Sequence, residues 1–214
     1  MDFISVTLNL LKGFGTTCEI FFITLVFSLI FGLVITACSI TSFTPLRAFT
    51  RGLIWVIRGT PLMLQILAVY YGPALLFNWG IMPRMLAVLI AFVLNYSCYF
   101  SEIYRGGISS IPKGQFEAGY VLGLTKRQVF FKIILMQVIK RIIPSMGNEI
   151  ITLVKDTALA RVIVVAEILK IAQDYTAYGL IWPLFYTGVY YLVFVGLLTI
   201  LFKFLEKRLA YMNE

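Results

Sequence analysis

Ile20-Phe21-Phe22-Ile23-Thr24-Leu25-Val26-Phe27-Ser28-Leu29-Ile30-Phe31-Gly32-Leu33-Val34-Ile35-Thr36-Ala37 opens a run of 27 uncharged residues between Glu19 and Arg47. A helix needs about 20 consecutive apolar residues to cross the roughly 30 Å hydrocarbon core of a bilayer. The run is continuous rather than alternating, which argues for a spanning helix over a barrel strand. Three comparable runs follow: 25 residues between Arg58 and Arg84, 17 between Arg84 and Glu102, and 28 between Asp174 and Lys203. A fifth stretch, Val138 to Val154, is poorer, because it carries Lys140, Arg141 and Glu149 and contains Pro144 and Gly147.

Composition agrees with this reading. Of 214 residues, 60% are hydrophobic and 13% charged, with a mean hydropathy of +0.92. Soluble domains carry about 25% charged residues. The chain therefore reads as an all-α membrane protein, a polytopic bundle of about five transmembrane helices. The net charge of +8 fits basic residues flanking spans on the cytoplasmic side and does not call for nucleic acid. Met1 to Asn9 lacks the basic start and the small-residue cleavage site of a signal peptide. Cys18, Cys38 and Cys98 lie in apolar runs without metal or redox spacing and read as small buried hydrophobes. No histidine is present, which removes the commonest general base and metal ligand. No phosphate-binding Gly-x4-Gly-Lys-Ser/Thr loop occurs, so nucleotide hydrolysis is not expected of this chain.

Charge asymmetry selects the topology. Five spans with the N-terminus outside place 13 of the 18 Lys and Arg residues on the inner side and five on the outer. That is the bias of the positive-inside rule. The expected spans are 17–43, 60–80, 84–104, 138–156 and 178–203, within a single membrane domain 1–214 whose C-terminus is cytoplasmic.

The longest polar segment, 111–132, lies between the third and fourth spans. Pro112 sets a helix start, Gly123 interrupts it, and Thr125 is placed to cap a second helix. Two short helices along the cytoplasmic face are predicted. Spacing alone leaves two readings open: a connector resting on the bilayer interface, or a docking element for a soluble partner. Gly119-x3-Gly123 reads as incidental, because the small-xxx-small packing signal belongs inside an apolar span.

Charged groups within spans are functional candidates, because burying them in lipid costs several kcal/mol. Glu149 and Asp156 are seven residues apart, two helical turns, which places them on one face about 10 Å apart along the axis. Asn148, Thr152 and Thr157 add hydrogen-bonding groups. Pro144 and Gly147 just before them suggest a broken helix with freed backbone groups facing a cavity. In the alternative reading, Lys155 or Arg161 neutralises Asp156 and Glu149 pairs with Lys140 or Arg141. Glu102 and Arg105, at i and i+3, are expected to form an ion pair at the cytoplasmic boundary. Arg58 reads as an interface anchor and Gly59-Thr60-Pro61 as a kinked entry to the second span. The segment 166–177, with Glu167, Lys170 and Asp174, is expected on the external side, as a solvated loop or a contact for a binding protein.

Glu117-Ala118-Gly119-x3-Gly123-x9-Ile133-x-Leu135 resembles the EAA motif of ABC importer membrane subunits, EAA-x3-G-x9-I-x-LP. Gly119 stands for the second alanine and Met136 for the proline, for which Pro144 offers a local substitute. Arg58-Gly59-Thr60-Pro61-Leu62-x2-Gln65 with Tyr70-Tyr71-Gly72, then Tyr99-x2-Glu102-x2-Arg105-Gly106-Gly107-Ile108, then Asn148-Glu149-x5-Lys155-Asp156-Thr157-Ala158-Leu159-Ala160, are similar to the polar amino acid permease subfamily. The resemblance covers residues 13 to 208.

It implies a type I ABC importer-like fold and a permease of the histidine, arginine, glutamine and cystine kind in a bacterial cytoplasmic membrane. It further implies that Glu117, Ala118, Gly119 and Gly123 form a coupling helix docking on a separate ATPase. Arg58, Gly59, Thr60, Pro61, Gln65, Glu102, Arg105 and Pro144 become gating or structural residues, and Glu149, Asp156, Asn148 and Thr152 substrate-binding ones. Two carboxylates at a cavity suit a cationic amino acid. The implied partners are two ATPase subunits that bind ATP and Mg, a second membrane subunit and an extracytoplasmic binding protein. No cofactor or metal is assigned to this chain. The competing classes are an ion-coupled secondary transporter, for which the inverted repeat is missing, and a non-transporting membrane scaffold.

Overall fold

α1 (Phe3–Ile40) is a single helix of 38 residues, about 57 Å long at 1.5 Å per residue. That is nearly twice the hydrocarbon thickness, and the helix starts well before the expected position 17. Its buried residues include Gly13, Thr17, Thr24, Ser28, Gly32 and Thr36, while Phe22, Phe27 and Phe31 point outward. This inverts the soluble pattern. Where lipid solvates large side chains as well as a core does, helices meet along small residues that let backbones approach. Gly13 carries α1 against α8 (Ile168–Thr176), where a Cβ would come within 2.9 Å of the Ile168 Cα. Gly32 does the same against α4 (Arg84–Ser109), where a Cβ would lie 3.1 Å from that of Phe100. Thr36 donates to the carbonyls of Gly32, at 2.7 Å, and Ser101, at 3.1 Å, so its buried hydroxyl is satisfied.

The structure is a computed structural model and describes residues 2–210; the expected domain 1–214 also takes in Met1 and residues 211–214, outside that range. All its secondary structure is helical among the described residues. After α1 come α2 (Thr44–Gly59) and α3 (Leu62–Phe77), joined at an angle of 108°. The residues between the first two expected spans thus form an amphipathic helix, α2. The bend is local chemistry. Pro61 lacks an N–H and forces Thr60 into the extended region, at φ −118° and ψ 147°. Gln65 then turns back and donates to the carbonyls of Ile57, at 2.7 Å, and Thr60, at 3.1 Å, which α2 leaves without helical partners.

Helix directions follow from the contacts. α1 and α4 run parallel, with Gly32 beside Ser97 and Thr36 beside Ser101. α3 runs back against them in direction and meets mid-α4 where Asn95 donates to Gln65 at 3.0 Å. α7 (Leu135–Asp156) opposes α4, with Ile142 against Gly107 and Asp156 against Tyr96. α9 (Trp182–Ala210) runs with α1, since Trp182 stacks on Phe3 and Phe194 meets Phe21. Five helices therefore alternate in direction. Three of them, α1, α4 and α9, are long and apolar enough to cross a membrane, and the bent α2–α3 pair qualifies as a fourth. α7 does not meet that standard because it carries Lys140, Arg141, Glu149, Lys155 and Asp156.

Between α4 and α7 the chain forms α5 (Lys113–Val121). The expected break is present: Gly123 adopts φ +75°, a region costly for any residue with a Cβ. Thr125 and Gln128 form a reciprocal capping box. The second short helix differs from expectation. α6 (Lys126–Val129) passes through a π-helical segment, Phe130–Ile134, directly into α7. Val129, Ile134 and Val138 bury one continuous face against Ile111, so nothing separates the capped turn from the span. The helix that carries the expected span 138–156 thus begins at Lys126.

The break expected at Pro144 and Gly147 is also absent. α7 continues through both, because Met146, Gly147, Ile150, Leu153 and Val154 are buried behind them, and that packing outweighs the one hydrogen bond a proline removes. Pro144 is therefore no substitute for the motif's terminating proline. The helix changes instead after Asp156, into a 3-10 turn, Thr157–Ile163, closed by Val164 at φ 62°.

The segment 166–177 is not a solvated loop. Glu167 is fully buried and caps α8, accepting from the backbone N–H groups of Leu169, at 2.8 Å, and Lys170, at 2.7 Å. Burial pushes its carboxyl above the ordinary value of 4.5, and those two hydrogen bonds hold it partly back. A carboxyl raised in the folded state contributes stability that is complete below its unfolded pKa and is lost as pH rises through the folded one. Glu167→Gln keeps a capping oxygen without the charge. Its melting temperature is expected to exceed that of the wild type at pH 8, with the gap closing as pH falls toward about 4.5; a pH-independent difference would contradict this.

Candidate functional site

α7 is two-faced. Its apolar side is buried, and its other side carries Arg141, Ser145, Asn148, Thr152 and Asp156 at intervals of three or four, with Glu149 adjoining. Ser145 and Asn148 are exposed; Glu149, Thr152 and Asp156 are half-buried. Thr152 spends its hydroxyl on the Asn148 carbonyl at 3.0 Å. Beside this face α4 presents Tyr96, Tyr99, Glu102 and Arg105, each three residues after the last. The two helices together make a polar wall along the bundle, in a place where a lipid-facing surface would be apolar.

The upper part of the wall centres on Asp156. The Tyr96 hydroxyl, on an otherwise buried ring, donates to Asp156 Oδ2 at 2.7 Å. Neither Asp156 nor Glu149 is in an ion pair among the described residues. The pairings with Lys155 or Arg161, and with Lys140 or Arg141, that would make these carboxylates purely structural are not formed as ion pairs. Tyr96 was not singled out from the sequence, because one tyrosine in an aromatic-rich span carries no signal. The three-residue spacing of Tyr96, Tyr99, Glu102 and Arg105 is the one pattern that could have found it.

The lower part is basic. Arg105 forks onto Glu102 as expected, Nε to Oε1 at 2.8 Å and the terminal nitrogen to Oε2 at 2.5 Å. Arg58 adds a third group, 3.7 Å from Glu102 Oε2, with its guanidinium 4.9 Å above the Tyr99 ring. Arg58 is therefore tied to α4. Thr60, Pro61 and Gln65 form the bend that places it there, and Gly59 stands in open space. Pro144 lies exposed within unbroken helix. Arg141 donates to Ser110 and closes the wall's basic end.

Glu117, Ala118, Gly119 and Gly123 are not part of this wall. Glu117 and Ala118 are exposed on α5. Gly119 is buried against α6, where a Cβ would come within 2.7 Å of a Val129 methyl. Its pairing with Gly123 is not the packing contact; Gly119 alone makes the close approach. Tyr120, Val121 and Leu122 are exposed beside Glu117. No group of three or more His, Cys, Asp or Glu side chains able to hold a metal ion occurs among the described residues.

Comparison with known proteins agrees with this geometry. Residues 27–211 match the family described as binding-protein-dependent transport system inner membrane component. The arginine transport system permease protein ArtQ of Bacillus subtilis (strain 168) is 36% identical over 202 residues, covering 94% of this chain and 92% of that one. The L-cystine transport system permease protein TcyB of the same organism is 40% identical over 169 residues, covering 78% and 71%. A chain from the crystal structure of an amino acid ABC transporter with histidines superposes with a TM-score of 0.88 at 30% identity, covering 97% of this chain and 99% of that one. A MetNI methionine ABC transporter chain shares the fold, with a TM-score of 0.79 at 16% identity and coverage of 98% and 99%. An apolar bundle with a polar wall, a motif-bearing helix outside it, and a match over most of its length together place the chain in the family of binding-protein-dependent transport system inner membrane components.

Proposed function

We propose that this chain is the permease subunit of an ATP-driven importer that carries a polar amino acid across a bacterial cytoplasmic membrane. The observation that carries this reading is the polar wall of α4 and α7, with Glu149 and Asp156 unpaired by basic residues. Such a surface needs water or protein over it, and a second membrane subunit facing it would enclose a path. Two carboxylates along that path favour a cationic side chain. The basic residues of α2, of the 111–132 segment and of the last turn of α9 lie in the cytoplasm, so the N-terminus is outside and the C-terminus inside. α5 is then the contact for one of two ATPase subunits, which bind ATP and Mg, while α8 and the outer loops face an extracytoplasmic binding protein. Residues 1–214 form one membrane domain.

The test is reconstitution. The chain, purified with its ATPase and binding protein into proteoliposomes, is expected to take up labelled amino acid only with ATP, and arginine in preference to glutamine. Uptake without any ATPase subunit would instead identify an ion-coupled carrier. Equal uptake of arginine and glutamine would overturn the cationic preference while leaving the permease reading in place.

A further inference from the structure

Below the Asp156–Tyr96 pair, α2 and α4 frame an open cavity of about 310 Å³ lined by Arg51, Ile54, Trp55, Arg58, Glu102 and Arg105. Three guanidinium groups face one carboxylate there. Glu102 is already engaged by Arg105 and lies near Arg58, while Arg51 makes no hydrogen bond or ion pair among the described residues. A surplus of positive charge in a concave site is a receptor for an anion, and a guanidinium fork matches a carboxylate or phosphate. The location narrows the choice. Tyr99 connects the cavity to Tyr96, with ring centroids 6.3 Å apart, and carries Arg58 on its face. Glu102 also lines a neighbouring cavity of about 360 Å³ with Arg141 and Ser145, which lie on the wall face of α7. The basic cavity is thus the lower continuation of the polar wall.

We propose that this cavity is a second station on the transport path, which holds the α-carboxylate of the amino acid on Arg51 and Arg58 after it leaves the Glu149–Asp156 level. The proposal rests on the permease reading. It also reconciles two features of the wall: a carboxylate-lined upper site that receives a positive group, and an arginine-lined lower site that receives the negative group every amino acid carries. Glu102, held by Arg105, keeps the guanidinium groups spread and limits how tightly an anion is retained, which release into the cytoplasm requires.

Arg51→Gln is the informative change, because Arg51 holds no part of the fold. In the reconstituted transporter its uptake is expected to fall about tenfold or more, the loss of one charge-assisted hydrogen bond, with Arg51→Lys recovering most of the rate. A second measurement does not pass through the binding protein. With Trp55→Cys in the assembled complex in nanodiscs, millimolar L-arginine or L-glutamine should slow modification by a charged thiol reagent. Their α-amides should not, and Arg51→Gln should remove the protection. Wild-type uptake together with an unchanged Arg51→Gln rate, or equal protection by acid and amide, overturns the station alone. Protection that follows phosphatidylglycerol content and ignores amino acid assigns the cavity to a lipid phosphate and overturns it as well. A wild-type complex that transports no amino acid brings down the permease reading and the station together.

Discussion

Glu117→Lys is expected to leave the chain folded, inserted and normally abundant while ATP-driven uptake falls by about a hundredfold or more. The side chain is exposed on α5 and makes no hydrogen bond or ion pair among the described residues. Surface substitutions of that kind usually change stability by no more than about 0.5 kcal/mol. Any large effect must therefore come from a partner. With α5 docked on an ATPase as proposed, reversing the charge would replace a charge-assisted hydrogen bond with a repulsion, and breaking a buried charged pair across an interface costs about 2–5 kcal/mol. Each 1.4 kcal/mol is tenfold in an equilibrium constant. The measurement is uptake alongside co-purification of the ATPase: a complex lost, or one that hydrolyses ATP without uptake, is the expected result. A stable Glu117→Lys complex with normal uptake would remove the docking role from α5.

Glu149→Gln is expected to lower uptake of arginine by about ten- to a hundredfold and uptake of a neutral amino acid much less. The substitution keeps the size and one oxygen but removes the charge. Hydrogen bonds to charged groups contribute about 1.5–3 kcal/mol, which sets the range. Glu149 is half-buried on the wall face of α7 and has no ion pair among the described residues, so the variant leaves no basic side chain stranded. Assembly should be normal. Unchanged rate and unchanged preference between arginine and glutamine would exclude Glu149 from the substrate path. Asp156 is a less clean probe, because its Oδ2 already accepts from Tyr96 and its removal disturbs that buried hydroxyl too.

How much of this could be read beforehand differs between elements. Glu102 with Arg105 was legible because i, i+3 partners on a helix meet whatever surrounds them. The turn at Gly123 and the cap at Thr125 were legible for the same reason: both are decided within four residues. Pro144 misled, because its effect is a competition. The local loss of one hydrogen bond was visible in the sequence, while the buried residues behind it that hold the helix were not. Glu167 misled in the opposite direction. A lone acidic residue with Lys170 and Asp174 following reads as part of a solvated segment, whereas α8 docks onto α1 beside Gly13 and Glu167 is buried there.

By itself the sequence determined that the chain lives in a membrane, how many times its helices alternate, and where a helix beside the bundle carries Glu117. Those properties depend on run length, charge bias and short-range hydrogen bonding, all of which are local sums along the chain. Tertiary structure alone decided that α1 extends to α8, that the 108° bend is tied to α4 through Gln65 and Asn95, and that Tyr96 reaches Asp156 across 60 residues. These depend on which helix faces lie against each other, and a contact between distant segments leaves no periodicity in either of them.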